Sequence, residues 1–170
     1  PFDIIITPKM SFGTGHHATT HLMIKHQLDI NHQNKLVMDA GCGTAVLSIM
    51  ASKREAKFVD AFDIDAWSIE NGKENAEMNG CSNIRIRQGK ISDLKFNEPF
   101  DIILANINKN ILLMEMPYYN AYLKKDGLLL LSGFYEHDIA DIESRAKGEN
   151  LILQHFHALE TWAAVLFKKL

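Results

Sequence analysis

No stretch of this 170-residue chain approaches the roughly 20 consecutive apolar residues that a membrane span requires, and no signal-peptide pattern opens it. Cysteine is scarce. Cys42 and Cys81 form no C-x-x-C pair, which excludes a disulfide framework or a cysteine-based zinc site and suits a reducing compartment. Neither sign of charge dominates: a formal net charge of −3 leaves no basic surface to attract nucleic acid. Arg85 and Arg87 come closest to a patch, and their alternation on a strand predicts a single solvated face. There is no low-complexity linker and no internal repeat. With 46% hydrophobic residues the chain can build one full core, and it is too short for two ordinary domains. The expectation is a cytoplasmic protein with no membrane and no direct nucleic-acid partner.

What is present is a cofactor socket. The run Val37-Met38-Asp39-Ala40-Gly41-Cys42-Gly43-Thr44-Ala45 takes an apolar strand into an acid, a glycine turn and a helix. About one βα unit later Phe62-Asp63-Ile64-Asp65 ends a second strand in another acid. Glycines let backbone N–H groups approach a ligand closely, and the following helix offers its positive end. The dinucleotide fingerprint needs a third glycine where this chain has Val46, and it seats a pyrophosphate that Asp39 would repel. S-adenosylmethionine fits better, because it carries an ammonium and a sulfonium and no phosphate. Asp63 is placed to accept hydrogen bonds from its ribose hydroxyls. A purely structural βα turn would need neither acid.

Alternating signals set the fold. Strands are expected at Phe2–Thr7, Lys35–Asp39, Phe58–Asp63, Ile84–Gln88, Phe100–Asn106, Gly127–Ser132, Leu151–Ala158 and Trp162–Phe167. Helices are expected at Thr19–Leu28, Ala45–Ser52, Ala66–Met78, Ile111–Leu123 and Asp138–Lys147, the third ended by Asn79-Gly80 and the fourth kinked or restarted at Pro117. Strands separated by helices imply right-handed βαβ units. The class is α/β, a Rossmann-like doubly wound sheet, mostly parallel, closed by an antiparallel C-terminal hairpin that turns near Leu159–Thr161.

The stretch Met10-Ser11-Phe12-Gly13-Thr14-Gly15-His16-His17-Ala18-Thr19-Thr20 closely resembles the F-G-T-G-x-H-x-T-T signature of the PrmA family of ribosomal-protein methyltransferases, enzymes of the class I, S-adenosylmethionine-dependent type. The agreement continues through Asp63-Ile64-Asp65, Glu74 to Gly80, Ala105-Asn106-Ile107 and Leu131-Ser132-Gly133-Phe134. The resemblance implies S-adenosylmethionine as cofactor and methylation of amines, lysines or the N-terminal α-amine, of a large-subunit ribosomal protein. It also implies that Thr14 contacts the cofactor, with Phe12 able to pack on it and exclude water. Such proteins usually carry an N-terminal recognition domain. This chain starts at Pro1 a few residues before the signature, so residues 1–170 are expected to form a single catalytic domain without it. Two further departures concern the cofactor. Ala45 replaces the usual third glycine, compatible with a negative φ, and Gly89-Lys90-Ile91 follows the third strand, leaving adenine recognition to backbone groups and to Ile64 or Ile91.

Asn106 is the candidate catalytic residue, because the fourth strand of such a sheet ends beside the cofactor. Asn106-Ile107-Asn108 lacks the prolines and aromatic of enzymes acting on base or amide nitrogens, which favours an sp³ amine; capping of the next helix is the alternative role. The cofactor-binding set is thus Phe12, Thr14, Asp39, Gly41, Gly43, Asp63, Ile64 and Asn106. His17 and His21 share an i, i+4 spacing, but no third ligand or catalytic glutamate accompanies them, and helix-start histidines without a metal are expected. The competing functions are a class I methyltransferase for another amine or small molecule, a cofactor-binding module without catalysis and, more remotely, a dinucleotide oxidoreductase.

Overall fold

A computed structural model describes residues 1–7, 9 and 17–170. A seven-stranded sheet forms its centre, comprising β1 (Leu36–Ala40), β2 (Phe58–Asp63), β3 (Ile84–Gln88), β4 (Phe100–Asn106), β5 (Leu123–Tyr135), β6 (Leu151–Leu159) and β7 (Trp162–Lys169). Its order is β3-β2-β1-β4-β5-β7-β6, with β7 alone running against the rest. Helices α1 (Ala18–Asp29), α2 (Val46–Lys53) and α3 (Ala66–Met78) cover one face; α4 (Lys109–Tyr122) and α5 (Ile139–Lys147) cover the other. Alternation along the strands divides the apolar residues between two cores. Val37, Ile102, Leu104 and Leu130 turn toward α1 and α2, while Met38, Ile103, Leu129 and Leu131 turn toward α4 and α5.

The α/β class, the mostly parallel sheet and the antiparallel C-terminal strands are as expected, and β2, α3, β3 and β4 have the expected limits. The Asn79-Gly80 stop also forms, with Gly80 at φ +68°. Three expectations need correction. Phe2–Thr7 is not a strand. Its backbone is held by asparagines spaced four apart along α3 and its C-cap: Ile5 exchanges hydrogen bonds with the Asn79 side chain, Thr7 N–H donates to Asn75 Oδ1, and Asn71 donates to the Thr7 carbonyl. One helix face thereby imitates a strand edge.

Pro117 does not restart α4, which runs unbroken to Tyr122. The carbonyl that a proline at this position leaves unbonded is that of Leu113, and Arg145 Nε on α5 donates to it at 3.2 Å. Nor is the Arg85/Arg87 pair merely a solvated face. Both guanidiniums converge on the buried Asp60 carboxylate of β2, Arg87 Nη2 at 3.2 Å, so the neighbouring strand carries their counter-charge.

Candidate functional site

The carboxyl ends of β1, β2 and β4 open into a cavity of about 490 Å³, within the roughly 300–1,000 Å³ of ligand pockets. Gly41, Gly43, Asp63, Asp65, Asn106, Ile107 and Gly133 contribute to its wall. A smaller recess of about 210 Å³ shares Gly41, Asp63, Ile107 and Ile111 with it and continues past Ile64, Gly89, Lys90 and Glu115. Ile91, the other residue considered for adenine contact, is buried in the α4/α5 core and lines neither space.

The β1–α2 turn forms the floor. Gly41 (φ +70°) and Gly43 (φ +52°) are left-handed, and the Gly41 and Cys42 N–H groups donate to the Phe62 carbonyl. A methyl on Gly41 would lie 2.5 Å from Ile107 Cγ2, so the turn and the β4–α4 loop meet at van der Waals contact. Gly133 permits the next approach: a Cβ there would sit 2.1 Å from the Ile107 carbonyl oxygen. Ala45 has φ +66°, contrary to the negative value anticipated. A methyl side chain therefore occupies the left-handed position at the start of α2, at about 1–2 kcal/mol of local strain.

Asp39 is fully buried below this turn and does not line the cavity. Ala45 offers α2 no side-chain cap, and Asp39 serves instead. Its carboxyl accepts from Ser48 Oγ at 2.6 Å and from the Ser48 backbone N–H. Burial pushes the Asp39 pKa up to about 7, the Ser48 bonds oppose the rise and the nearby Asp63 charge adds to it. Asp63 has a different setting, in the cavity wall. Gly43 N–H donates to one of its oxygens and Asp65 N–H to the other, both at 3.0 Å, which fixes the carboxylate while leaving a lone pair on each oxygen.

Asn106 lines the cavity from the end of β4, and its Oδ1, sealed from water, has no hydrogen-bond partner among the described residues. It does not cap the next helix; Asn108 does, accepting from Ile111 N–H at 3.1 Å. A buried acceptor left open at a strand end suits a ligand donor. His17 caps α1 through Nδ1, lines the cavity and meets Trp162 edge-on at 5.0 Å. Phe12 and Thr14 lie outside the described residues.

Sequence reasoning missed Trp162, Ile111 and Gly133 as wall residues. Gly133 had a signal, a glycine late in β5 that breaks the apolar run after residues 128–131; Trp162 begins the last strand and carries no local mark.

A family model described as Ribosomal protein L11 methyltransferase (PrmA) matches residues 2–170. A ribosomal protein L11 methyltransferase of Porphyromonas gingivalis is 46% identical over 167 residues, covering 98% of this chain and 58% of the relative. One of Bacteroides fragilis is 45% identical over 166 residues, covering 98% and 59%. The chain therefore spans less than two thirds of the length of these relatives. Among solved structures, a ribosomal protein L11 methylase from Lactobacillus delbrueckii subsp. bulgaricus superposes with a TM-score of 0.89 at 28% identity, covering 97% of this chain and 84% of that one. Magnesium protoporphyrin IX methyltransferase of Synechocystis, solved with bound SAM, shares the fold with a TM-score of 0.72 at 16% identity, covering 86% and 76%.

Proposed function

Because the chain belongs to the ribosomal protein L11 methyltransferase family, we propose that it binds S-adenosylmethionine at the carboxyl edge of its sheet and methylates amines of ribosomal protein L11. The observation that carries this reading is a fixed carboxylate, Asp63, in the wall of one cavity with Asn106, whose buried Oδ1 has no partner among the described residues. The residues fit the cofactor. Asp63 has lone pairs for a ribose diol, the turn at Gly41 brings backbone close to the cavity, and the recess between Ile64 and Gly89 is the place for an adenine ring. The cofactor, when bound, supplies an electrophilic methyl group on a sulfonium.

The protein's own part is to present a neutral amine in line. Releasing the proton of a lysine at pH 7 costs about 4.6 kcal/mol, and that of an α-amine about 1 kcal/mol. Asp63 and Asp65 are the carboxylates of the cavity wall, and each already accepts a backbone N–H. Neither is set up as a strong base, so desolvation of the amine does that work. A turn of the Asn106 side chain brings its now-buried Oδ1 to one remaining N–H of the amine and aims the lone pair, and catalysis is mainly orientation.

The test is calorimetry with S-adenosylmethionine and single-turnover methyl transfer to L11. Asp63→Ala should weaken cofactor binding by about 1.5–3 kcal/mol. Asn106→Ala should leave that affinity within a few-fold and lower the rate about a hundredfold, some 2.7 kcal/mol. Loss of cofactor binding in Asn106→Ala, or unchanged turnover, refutes the role given to it. The relatives are longer than this chain, and recognition of the whole ribosomal protein is proposed to draw on a further domain; transfer to intact L11 by residues 1–170 alone should then be slow, while cofactor binding is normal. A cytoplasmic location follows from that substrate.

A further inference from the structure

The second cluster of chemically capable side chains lies at the other end of α1. His26, on the buried face of that helix, faces His155 and His157 of β6, and ligating nitrogens of the three rings all lie within 4.8 Å of one another. Ring centroids are 4.6 Å apart for His26 and His157, 4.9 Å for His26 and His155 and 5.6 Å for His155 and His157. His26 is fully buried, and although the Ala164 backbone sits beside its ring, neither nitrogen closes a hydrogen bond among the described residues. A buried imidazole with both nitrogens open is costly unless something is bound there.

The local fold is built to bring the rings together. In register, Leu153 sits opposite Phe167, whereas His155 sits opposite Leu166 and His157 opposite Ala164, because a bulge at Gln154 shifts the pairing. Without it Leu153, His155 and His157 would share one face. With it, Leu153 packs toward α4 and α5 while the two histidines turn to the α1 side, where Leu166 and Ala164 point. Re-aiming of side chains is what bulges do beside functional sites.

We propose that His26, His155 and His157 form a three-imidazole site for a divalent transition metal of the zinc type, which clamps α1 to the edge strand of the sheet. The chemistry of the donors matches: three neutral imidazoles and a water complete a tetrahedral zinc shell at about 2.0–2.1 Å per Zn–N bond. Tetrahedral angles place the nitrogens roughly 3.3 Å apart, which the 4.8 Å cluster allows, and His155 can supply any adjustment, since it is exposed on an edge strand and can swing out of its stack on His26. Burial, helped by the two neighbouring rings, holds His26 in its ligating neutral form, with its pKa lowered to about 4. Asp29 faces His26 and His157 with a favourable charge, opposed by Lys25. The Ala164 backbone is in place to orient the His26 ring, as outer partners of metal-bound histidines do. His17, which lines the cofactor cavity, caps the other end of the same helix.

The test is equilibrium dialysis of chelator-treated protein against Zn²⁺, with Co²⁺ absorption as the report on coordination. One equivalent should bind, with the intense visible bands of tetrahedral cobalt, and the melting midpoint should rise by roughly 5–10 °C at a hundredfold excess over Kd. His155→Ala and His157→Ala, both on the accessible strand, should each weaken binding by about a hundredfold or more and remove the melting shift, while His21→Ala changes nothing. Absence of stoichiometric binding overturns the proposal. So does binding that survives both strand variants, or binding that His21→Ala removes.

Discussion

The β1–α2 turn and the β6–β7 hairpin turn both pass through the left-handed region, yet they are built from opposite residue types. The first uses Gly41, Gly43 and Ala45; the second uses Glu160 (φ +51°) and Thr161 (φ +72°), with no glycine at all. Paired positive φ values are what a tight hairpin demands, and glycine would be the unstrained choice there. The difference lies in the neighbours. Gly41 has Ile107 against it and a cavity above it, whereas Glu160 and Thr161 are exposed. Where solvent surrounds a left-handed bend it carries a large side chain, where Ile107 presses on it at Gly41 it carries none, and at the fully buried Ala45 only a methyl fits.

The largest effect expected from this contrast is at Gly133. An added Cβ meets the backbone of Ile107, which no rotamer change can move, so Gly133→Ala should destabilise the fold by about 3 kcal/mol or more in urea denaturation. A loss under 1 kcal/mol would mean that the β4–α4 loop gives way easily, and the role assigned to close approach would fall.

Next comes the buried acid beneath the glycine turn, which the hairpin lacks. Burial raises the Asp39 pKa from its ordinary 3.8 to about 7, so between about pH 4 and pH 7 the native protein holds a proton that the unfolded chain has lost. Its contribution is full below the lower value and is lost as pH rises through the upper one, by roughly 4 kcal/mol in all. His26 and His32, both lowered to about 4, act in the opposite sense up to about pH 6.5. The measurement is therefore a difference. The stability of Asp39→Asn relative to the wild type should climb across the window, and a flat difference would show that Asp39 ionises at its ordinary value.

Gly41→Ala sharpens the comparison in the same turn. The Ile107 side chain can yield, so about 2 kcal/mol is expected from strain and crowding, together with weaker cofactor binding by calorimetry. The smallest effects are at Thr161→Gly and Ala45→Gly. Relief of left-handed strain competes with a more flexible unfolded chain, and each should shift stability by less than about 1 kcal/mol. Should Thr161→Gly alter cofactor affinity, the hairpin turn is not the inert member of the pair.

Much of this was legible beforehand because it is local. Apolar runs bounded by Gly41 and Asn79-Gly80 marked β1 and α3, and acids at the ends of β1 and β2 marked the socket. What escaped depends on partners far away in the chain. Ile5 and Thr7 have strand-like residues but spend their hydrogen bonds on Asn75 and Asn79. Pro117 survives inside α4 because Arg145 takes up the stranded carbonyl. His155 and His157 show a period of two, but nothing nearby predicts the bulge that aims them or the histidine more than a hundred residues earlier that receives them. Asp39 reads from its place at the glycine turn as a cofactor residue, whereas it is buried off the cavity, and its work as a surrogate cap follows only from seeing Ser48 above it.

The placement of β7 has a consequence for how the molecule comes into being. It lies between β5 and β6, although it follows both in the chain. A ribosome delivers β5, α5 and β6 first, and until Trp162–Lys169 emerges β6 has no strand to join and the flank of β5 stays open. That flank includes Leu129, Leu130 and Leu131, apolar residues that are fully covered in the finished sheet. Through that interval the nascent chain presents an unpaired, leucine-rich edge of the kind that recruits other strands. Clipping the eight residues of β7 would make that interval permanent, so its yield as monomer during synthesis should depend on chaperone supply far more than its modest length suggests.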